Sequence, residues 1–468
     1  MLDPNVTETL KSVTGPKGWL EGSDTARYTE DPRGRVAGVA RLVLRPGSVA
    51  EVSEILNVCN NAGVGIIPFG GGTGGANGHL DPSGAQVVLS LDRLNRIRRV
   101  SAKNASITAE AGAKLCDIHT AADEIGRVFG LSLASEGSCT IGGNLASNAG
   151  GVQTLRYGNA RDLCLGLEAV MADGSVLSDL APLRKDNTGY DLRHLLIGSE
   201  GTLGVITAAT LKLSPKPQSR DTVFCAVPSP EAALDLLNAL RDQLGEVVSA
   251  FELMSALGLS LALKHFPDLR DPFAAQHPWY VLADISAPAG SAGNLEAAMA
   301  QAFEAGHLVD AILATSGAQA TALWALRENA FEYNKLERAL YSSDTSVPLS
   351  EMSAFVVRVQ KDLTGWDASL RVNCYGHIGD GNIHVNVFAA EGAHQAFLGC
   401  HPNAASHIAD IIEQATVAFD GSISAEHGIG RTKVESLKRY ADPTKLAMMR
   451  RIKQALDPKG ILNPGALF

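Results

Sequence analysis

Three glycine-rich turns lie close together in the first half of the chain, at 70–75, 137–151 and 198–204. The first, Gly70-Gly71-Gly72-Thr73-Gly74-Gly75, follows an apolar run from Val64 to Phe69. Without side chains, backbone N–H groups can approach a phosphate closely, and a turn of them makes an anion nest. The second runs Gly137-Ser138-Cys139-Thr140-Ile141-Gly142-Gly143-Asn144 and continues through Asn148-Ala149-Gly150-Gly151. The third, Gly198-Ser199-Glu200-Gly201-Thr202-Leu203-Gly204, enters a strand-like segment from Val205 to Leu213. One such turn reads equally well as a flexible connection, and a lone Gly-x-Gly-x-x-Gly is weak. Three in one domain, interleaved with Ser, Thr and Asn, suit a long cofactor with a diphosphate and polar ring edges. No Gly-Lys-Ser/Thr follows the first run, which argues against ATP or GTP hydrolysis.

The 468 residues leave room for two or three domains. A hydrophobic fraction of 45% and a charged fraction of 19% are ordinary for a globular chain. The net charge of -10 speaks against a duplex-binding stripe. The densest basic run, Arg93, Arg96, Arg98 and Arg99, reads as a solvated turn beside a strand. Seven widely spaced cysteines without a Cys-x-x-Cys pair argue for reduced thiols in a cytosol-like compartment. No apolar run reaches the length of a membrane span, and Met1 to Lys17 has no signal pattern.

Helix-like and strand-like segments alternate through the first half. Val49, Val52, Ile55, Leu56 and Cys59 have helical spacing over 48–62, closed by Gly63. Strands are expected at 41–46, 64–69, 87–91, 106–110, 163–171, 176–177 and 205–213, and a helix over 116–125. Pro215 and Pro217 mark a boundary. Beyond it, strands at 222–227 and 279–285 and helices at 230–244 and 295–305 suggest helices against an antiparallel sheet. A last helix is expected over 444–456, after Pro443. The resulting division is 1–214, a second domain over 215–424, and a segment 425–468 returning to the first domain.

The order of the three turns, with Lys185-Asp186-Asn187-Thr188-Gly189-Tyr190-Asp191-Leu192 before the third, resembles the vanillyl-alcohol-oxidase type of FAD-binding domain. The resemblance runs from about residue 40 to the C-terminus. It is strongest toward FAD-linked D-2-hydroxyacid dehydrogenases acting on 2-hydroxyglutarate, lactate or glycolate. It implies an α+β fold: that FAD-binding domain plus an α+β substrate (cap) domain with an antiparallel sheet. It implies that the diphosphate and isoalloxazine are held by Pro68, Gly70, Gly71, Gly72, Thr73, Gly74 and Gly75. The second turn would contribute Ser135, Gly137, Ser138, Ile141, Gly142, Gly143, Asn144, Ser147, Asn148, Gly150 and Gly151. Glu200, Gly201, Gly204 and Asn463 would join them, with Ile206 on the adenine side. Covalent members often carry His inside the first turn; Thr73 stands here, which implies non-covalent FAD. His79, just beyond, reads as a loop residue.

Residues 371–388 carry the sharpest motif: two β-type runs flanking Gly379-Asp380-Gly381-Asn382, a strong hairpin signal. If those four residues form the loop, Ile378 faces Ile383 and His377 faces His384. Opposed Cβ atoms on an antiparallel pair lie about 4.5–5.5 Å apart, so both imidazoles could chelate one ion. Asn386 projects from the same face. Taken alone, the pair reads equally as two satisfied structural histidines. Ser422-Ile423-Ser424-Ala425-Glu426-His427-Gly428 offers a carboxylate and another imidazole, and a His, His, Glu set suits a catalytic divalent ion. The resemblance implies His377, His384 and Glu426 as metal ligands, with Zn or Mn as the ion, and His427 as the base. Adjacent strand residues point to opposite faces, so Glu426 and His427 need a turn to share a site, which Gly428 permits.

The resemblance also gives Arg327, within Trp324-Ala325-Leu326-Arg327-Glu328, the substrate carboxylate, together with Asn386 and His427. By itself Arg327-Glu328 reads as a surface ion pair. In the 2-hydroxyglutarate enzymes, further contacts come from a threonine four residues after that arginine and a lysine before Asp-x-Ser-x-Pro. Phe331 and Ser342 stand there instead, which makes a more apolar or shorter 2-hydroxy acid the expectation unless Lys335 or Arg338 compensates. The implied reaction is metal-assisted oxidation of a D-2-hydroxy acid to a 2-oxo acid, with hydride transfer to the flavin N5. Electron-transfer flavoprotein, a quinone or a cytochrome is the implied acceptor, the location cytoplasmic and the assembly a homodimer. Three other readings stand against it: a metal-independent alcohol or sugar oxidase, a flavin-free metal-dependent hydrolase, and a non-catalytic flavin- or nucleotide-binding module.

Overall fold

A computed structural model describes residues 2–31, 34, 36–287 and 294–468. The chain divides into two compact units. Unit 1 comprises residues 1–150, 158–216 and 426–468; unit 2 comprises 151–157 and 217–425. The boundaries therefore fall at Lys216/Pro217 and Ala425/Glu426, and a short stretch after the second glycine turn, Gly151–Tyr157, belongs to unit 2.

Unit 1 holds two main sheets. In the first, Val43–Leu44, Val87–Ser90 and Ile66–Phe69 pair in parallel, with Trp19–Leu20 antiparallel at one edge. The helix Val49–Ala62 links its parallel strands. Ser48 Oγ accepts the Glu51 N–H at its start, and Gly63 ends it in the left-handed conformation. Val52, Ile55, Leu56 and Cys59 are all fully buried, as their spacing predicts. The second sheet is antiparallel, in the order Ile97–Ser101, Ser106–Glu110, Val205–Lys212, Cys164–Val170, Val176–Asp179. Its basic run is not merely solvated. Arg96 pairs with buried Glu110 at 2.8 Å, and Arg98 reaches Glu168 at 3.0 Å.

Two local readings differ from the sequence. The second glycine turn contains a helix, Ile141–Ala146, whose first residues, Ile141 and Gly142, donate their N–H groups to Ala113 O and Ala111 O. Pro443 lies inside the last helix, Pro443–Leu456, at its first turn, where its missing N–H removes no helical bond. The C-terminus returns to the first sheet: Ile66 N–H donates to Ile461 O, and Asn463 N–H to Ile66 O.

Unit 2 is built on an antiparallel sheet. Its order is Asp310–Leu313, Ser219–Val227, Trp279–Ala287, Val248–Ser255, Arg371–Gly376, Asn382–Phe388 and Tyr341–Ser342, with Thr345–Ser346 also on Asn382–Phe388. Both faces are covered. Alternate residues Val223, Cys225, Phe251, Leu253, Val281 and Ala283 pack into a core with the helices Pro230–Leu244, Met352–Trp366 and Ala404–Ala418. Phe224, Ala226, Ala250, Met254, Tyr280 and Leu282 face the helices Ala256–His265 and Gly317–Glu328. With both faces buried, these strands read as continuous apolar runs. No helix of the described residues is long and apolar enough to cross a membrane.

Candidate active site

In unit 1 the three glycine turns are in contact. A Cβ at Gly71 would stand 2.4 Å from Ser138 O, and one at Gly70 would stand 2.8 Å from Thr140 Oγ1. The first two turns therefore approach at a distance that only glycine permits. Gly198 N–H donates to Leu145 O and Glu200 N–H to Ala146 O, which ties the third turn to the helix Ile141–Ala146. Gly201 lies against Pro68, where a Cβ would fall 2.9 Å from Pro68 Cγ. Between the first two turns the buried Thr140 hydroxyl has no hydrogen-bond partner among the described residues. A glycine-lined backbone surface with an unsatisfied buried hydroxyl fits a cofactor rich in acceptors. Thr73 is the residue inside the turn, and His79 packs edge-on to Phe69 in the following loop. Ile206 is buried in the strand Val205–Lys212.

Two residues expected at the cofactor also bind the protein. Glu200, at φ +53, accepts the backbone N–H groups of Ile429 at 2.8 Å and Gly430 at 2.7 Å. Burial pushes its carboxyl above the ordinary value, partly offset by those two donors. Asn463 donates its amide to Glu200 O and accepts from Arg431 Nη2. Both side chains are thus committed to clamping residues 428–431, a use that sequence spacing across more than two hundred residues does not reveal. Gly151, also expected at the cofactor, opens the short stretch that clusters with unit 2.

The clamped stretch carries Glu426 and His427. Residues 425–427 bend, and Gly428 takes φ +77, the turn that brings two neighbouring side chains together. His427 Nε2 lies 3.9 Å from Glu426 Oε1.

In unit 2 the hairpin forms with a register different from the expected one. Tyr375, not His377, stands opposite His384, and Cys374 opposes Val385. The loop is longer because Ile378–Asp380 forms a 3-10 turn ended by Gly381 at φ +87. Ile383 then pairs with Thr345 rather than Ile378. The slip is two residues, and a two-residue slip keeps every side chain on its face. His377 lies one residue past the strand, at the start of the 3-10 turn, and approaches His384 with ring centroids 5.7 Å apart; both are buried. Asn386 is buried on the same strand, paired with Asn373 and with Ser342.

Arg327 lies on the helix Gly317–Glu328, buried, and its partner is not Glu328 but Glu252. Its Nη2 is 2.7 Å from Glu252 Oε2, and its guanidinium lies 4.8 Å from the Tyr375 ring centre. Glu252 Oε1 is 2.5 Å from His377 Nδ1. Burial alone would raise the Glu252 carboxyl; Coulombic attraction to His377 and Arg327 and the His377 hydrogen bond outweigh it and hold it at about 2. Sequence reading missed this residue. The signal was a carboxylate inside the apolar run Val248–Ser255, where an unpaired charge is not tolerated. Asp344 was also missed. It is buried, accepts from Asn382 Nδ2 at 3.1 Å and lies 3.8 Å from His384 Nδ1. Phe331, Lys335 and Arg338 are all exposed.

Just before the unit boundary, within unit 2, Ser422 bridges Ser346 and Ala425 N–H donates to Asp344 O. One ligand atom each of His377, His384 and Glu426 lie within 4.8 Å of one another, as do those of Asp344, Glu426 and His427. Two imidazoles and a carboxylate are a donor set suited to a divalent transition ion.

Residues 40–179 match the family described as FAD binding domain, and residues 216–467 match FAD linked oxidases, C-terminal domain. A D-2-hydroxyglutarate dehydrogenase from Xanthomonas citri pv. viticola is 38% identical over all of this chain and 98% of its own length. The mitochondrial D-2-hydroxyglutarate dehydrogenase of Arabidopsis thaliana is 36% identical, covering 99% of this chain and 81% of that protein. Among solved structures, p-cresol methylhydroxylase with substrate bound superposes with a TM-score of 0.77 at 15% identity, over 98% of this chain and 96% of that one. Alkyldihydroxyacetonephosphate synthase gives 0.72 at 17%, over 99% and 85%. The fold is therefore the α+β vanillyl-alcohol-oxidase type, with its FAD-binding domain and an antiparallel cap. The chain belongs to the FAD-linked oxidase family, in the branch that contains the D-2-hydroxyglutarate dehydrogenases. It is an FAD-linked oxidoreductase, so neither a flavin-free hydrolase nor a non-catalytic nucleotide-binding module describes it.

Proposed function

We propose that the protein oxidises a D-2-hydroxy acid to the 2-oxo acid at non-covalently bound FAD, assisted by a divalent ion, Zn or Mn, held by His377, His384 and Glu426. The observation that carries this reading is the convergence of two buried imidazoles and a carboxylate in a chain of this family. When bound, FAD supplies the two-electron sink at N5, and the divalent ion supplies a Lewis acid for the substrate hydroxyl. The protein's own groups do the rest. His427 accepts the hydroxyl proton as general base. Arg327 and Asn386 orient the substrate carboxylate and hydroxyl before Cα–H cleavage.

The substrate falls in the 2-hydroxyglutarate, lactate or related class. Ser342 beside Asn386 brings no cation to the sheet, and Lys335 and Arg338 are exposed, which favours a shorter or more apolar acid than 2-hydroxyglutarate. Against this stands the 38% identity to a D-2-hydroxyglutarate dehydrogenase. An anaerobic flavin-reduction screen of D- and L-2-hydroxy acids, with and without chelator, decides. Flavin bleaching by a D-acid that chelator abolishes and Zn²⁺ or Mn²⁺ restores is expected. Bleaching indifferent to chelator would move the protein to the metal-independent alcohol and sugar oxidases. His427→Ala is expected to lower kcat by about 10²-fold or more and to remove the basic-group limb of its pH profile; unchanged turnover and pH profile would remove His427 as base.

Electron-transfer flavoprotein, a quinone or a cytochrome would reoxidise the flavin. A homodimer is the proposed assembly. From seven widely spaced cysteines without a Cys-x-x-Cys pair, the proposed location is a reducing, cytoplasmic one.

A further inference from the structure

We propose that Glu252 is a positioning residue of the candidate metal centre, fixing His377 through Nδ1 and carrying the countercharge of Arg327. The inference rests on the metal-assisted reading above. Within unit 2 its geometry follows from strand pairing. Val248–Ser255 pairs antiparallel with Arg371–Gly376 in the register Leu253↔Gly376 and Met254↔Tyr375. One step along that register sets Glu252 beside His377. The alternation of the strand also puts Glu252 on the same face as Ala250 and Met254, against the helix that carries Arg327. Sheet register and helix packing thus bring one carboxylate between two candidate site residues.

The arrangement has chemical content. A fully buried carboxylate costs several kcal/mol in desolvation, about as much as its pairing returns, and an apolar replacement of such a pair is often neutral. Stability alone therefore gives weak reason for Glu252 here. The contact to Nδ1 at 2.5 Å does. It fixes the ring's orientation and leaves Nε2 as the ring nitrogen that serves as ligand; a carboxylate partner also raises imidazole basicity. On its other side Glu252 holds Arg327 Nη2 at 2.7 Å and so orients the guanidinium. The buried Arg327 Nε has no hydrogen-bond partner among the described residues, so a donor remains for a carboxylate ligand. Glu252 touches neither substrate nor ion; it acts through His377 and Arg327.

The test is metal titration of the chelator-treated, FAD-loaded protein with Zn²⁺ and with Mn²⁺, read by calorimetry. Wild type is expected to bind one equivalent. Glu252→Gln is expected to bind it about 10–100-fold more weakly at unchanged flavin content. Glu252→Gln binding within twofold of wild type overturns the inference while leaving the metal reading intact. A wild type that binds neither ion overturns both. Should Glu252→Gln not fold, Glu252→Met with Arg327→Met removes both charges together. That double variant is expected to fold and to show the same weakened binding; wild-type affinity in it overturns the proposal. Arg327→Met alone is expected to raise KM and to keep metal affinity within about threefold, which separates the two arms of the carboxylate.

Discussion

Glu200 and Glu252 show what a single carboxylate does when its partners lie far along the chain. Glu200 closes on the N–H groups of Ile429 and Gly430 and so holds the stretch that follows Glu426 and His427. Glu200→Ala loses two hydrogen bonds to a charged acceptor, each of about 1.5–3 kcal/mol. We expect urea unfolding to show a loss of about 3 kcal/mol, and limited proteolysis to cut near residue 428. A variant as stable and as resistant as wild type would show that the clamp contributes nothing. Neither role was legible in the sequence, because 229 residues separate Glu200 from Ile429 and 125 separate Glu252 from His377. The metal-candidate residues were legible because local spacing carried them. Even so, the expected pairing of His377 with His384 was off by two positions, an error that alternation of faces forgives.

Strands and helices with long periodic signals matched their expected ranges to within a few residues, as in Ser106–Glu110 and Pro230–Leu244. Misreadings came where tertiary contacts override local composition, as in the helix Ile141–Ala146 inside a glycine-rich stretch. The hairpin turn is testable at this scale. Gly381 takes φ +87, and a Cβ there would stand 2.5 Å from Val347 O. Gly381→Ala is expected to destabilise the protein by about 2 kcal/mol or more in denaturant unfolding and to weaken the proposed metal binding by displacing His377 from His384. A second tie joins the helix Ala256–His265 to the strand Arg371–Gly376. Burial would raise the Glu337 carboxyl, but hydrogen bonds from Lys264, Arg371 and His265 bring it down to about 2. With its folded pKa below the ordinary 4.5, its stabilisation is complete above pH 4.5 and fades as pH falls toward 2. Glu337→Gln should lower stability by about 1 kcal/mol at pH 7, after allowance for solvent screening of Lys264, and leave a shallower acid limb. An acid limb identical to wild type's would discount the tie.

For the whole molecule, ligand linkage gives the broadest check. Cofactor bound only by the folded state adds about 2.7 kcal/mol at a free concentration one hundred times Kd. FAD restored to the apoprotein should therefore raise the unfolding midpoint in proportion to the logarithm of its concentration. A midpoint that ignores FAD would oppose a cofactor site in the glycine turns. The chain also passes between its units at four points, after residues 150, 157, 216 and 425.

The backbone of Ile66, in the strand that delivers the first glycine turn, is completed only by residues 461–463. Without them the nucleotide-binding half keeps an unpaired strand edge, the kind of surface that invites aggregation. Removing residues 461–468 should therefore give an aggregation-prone product, however complete its cap.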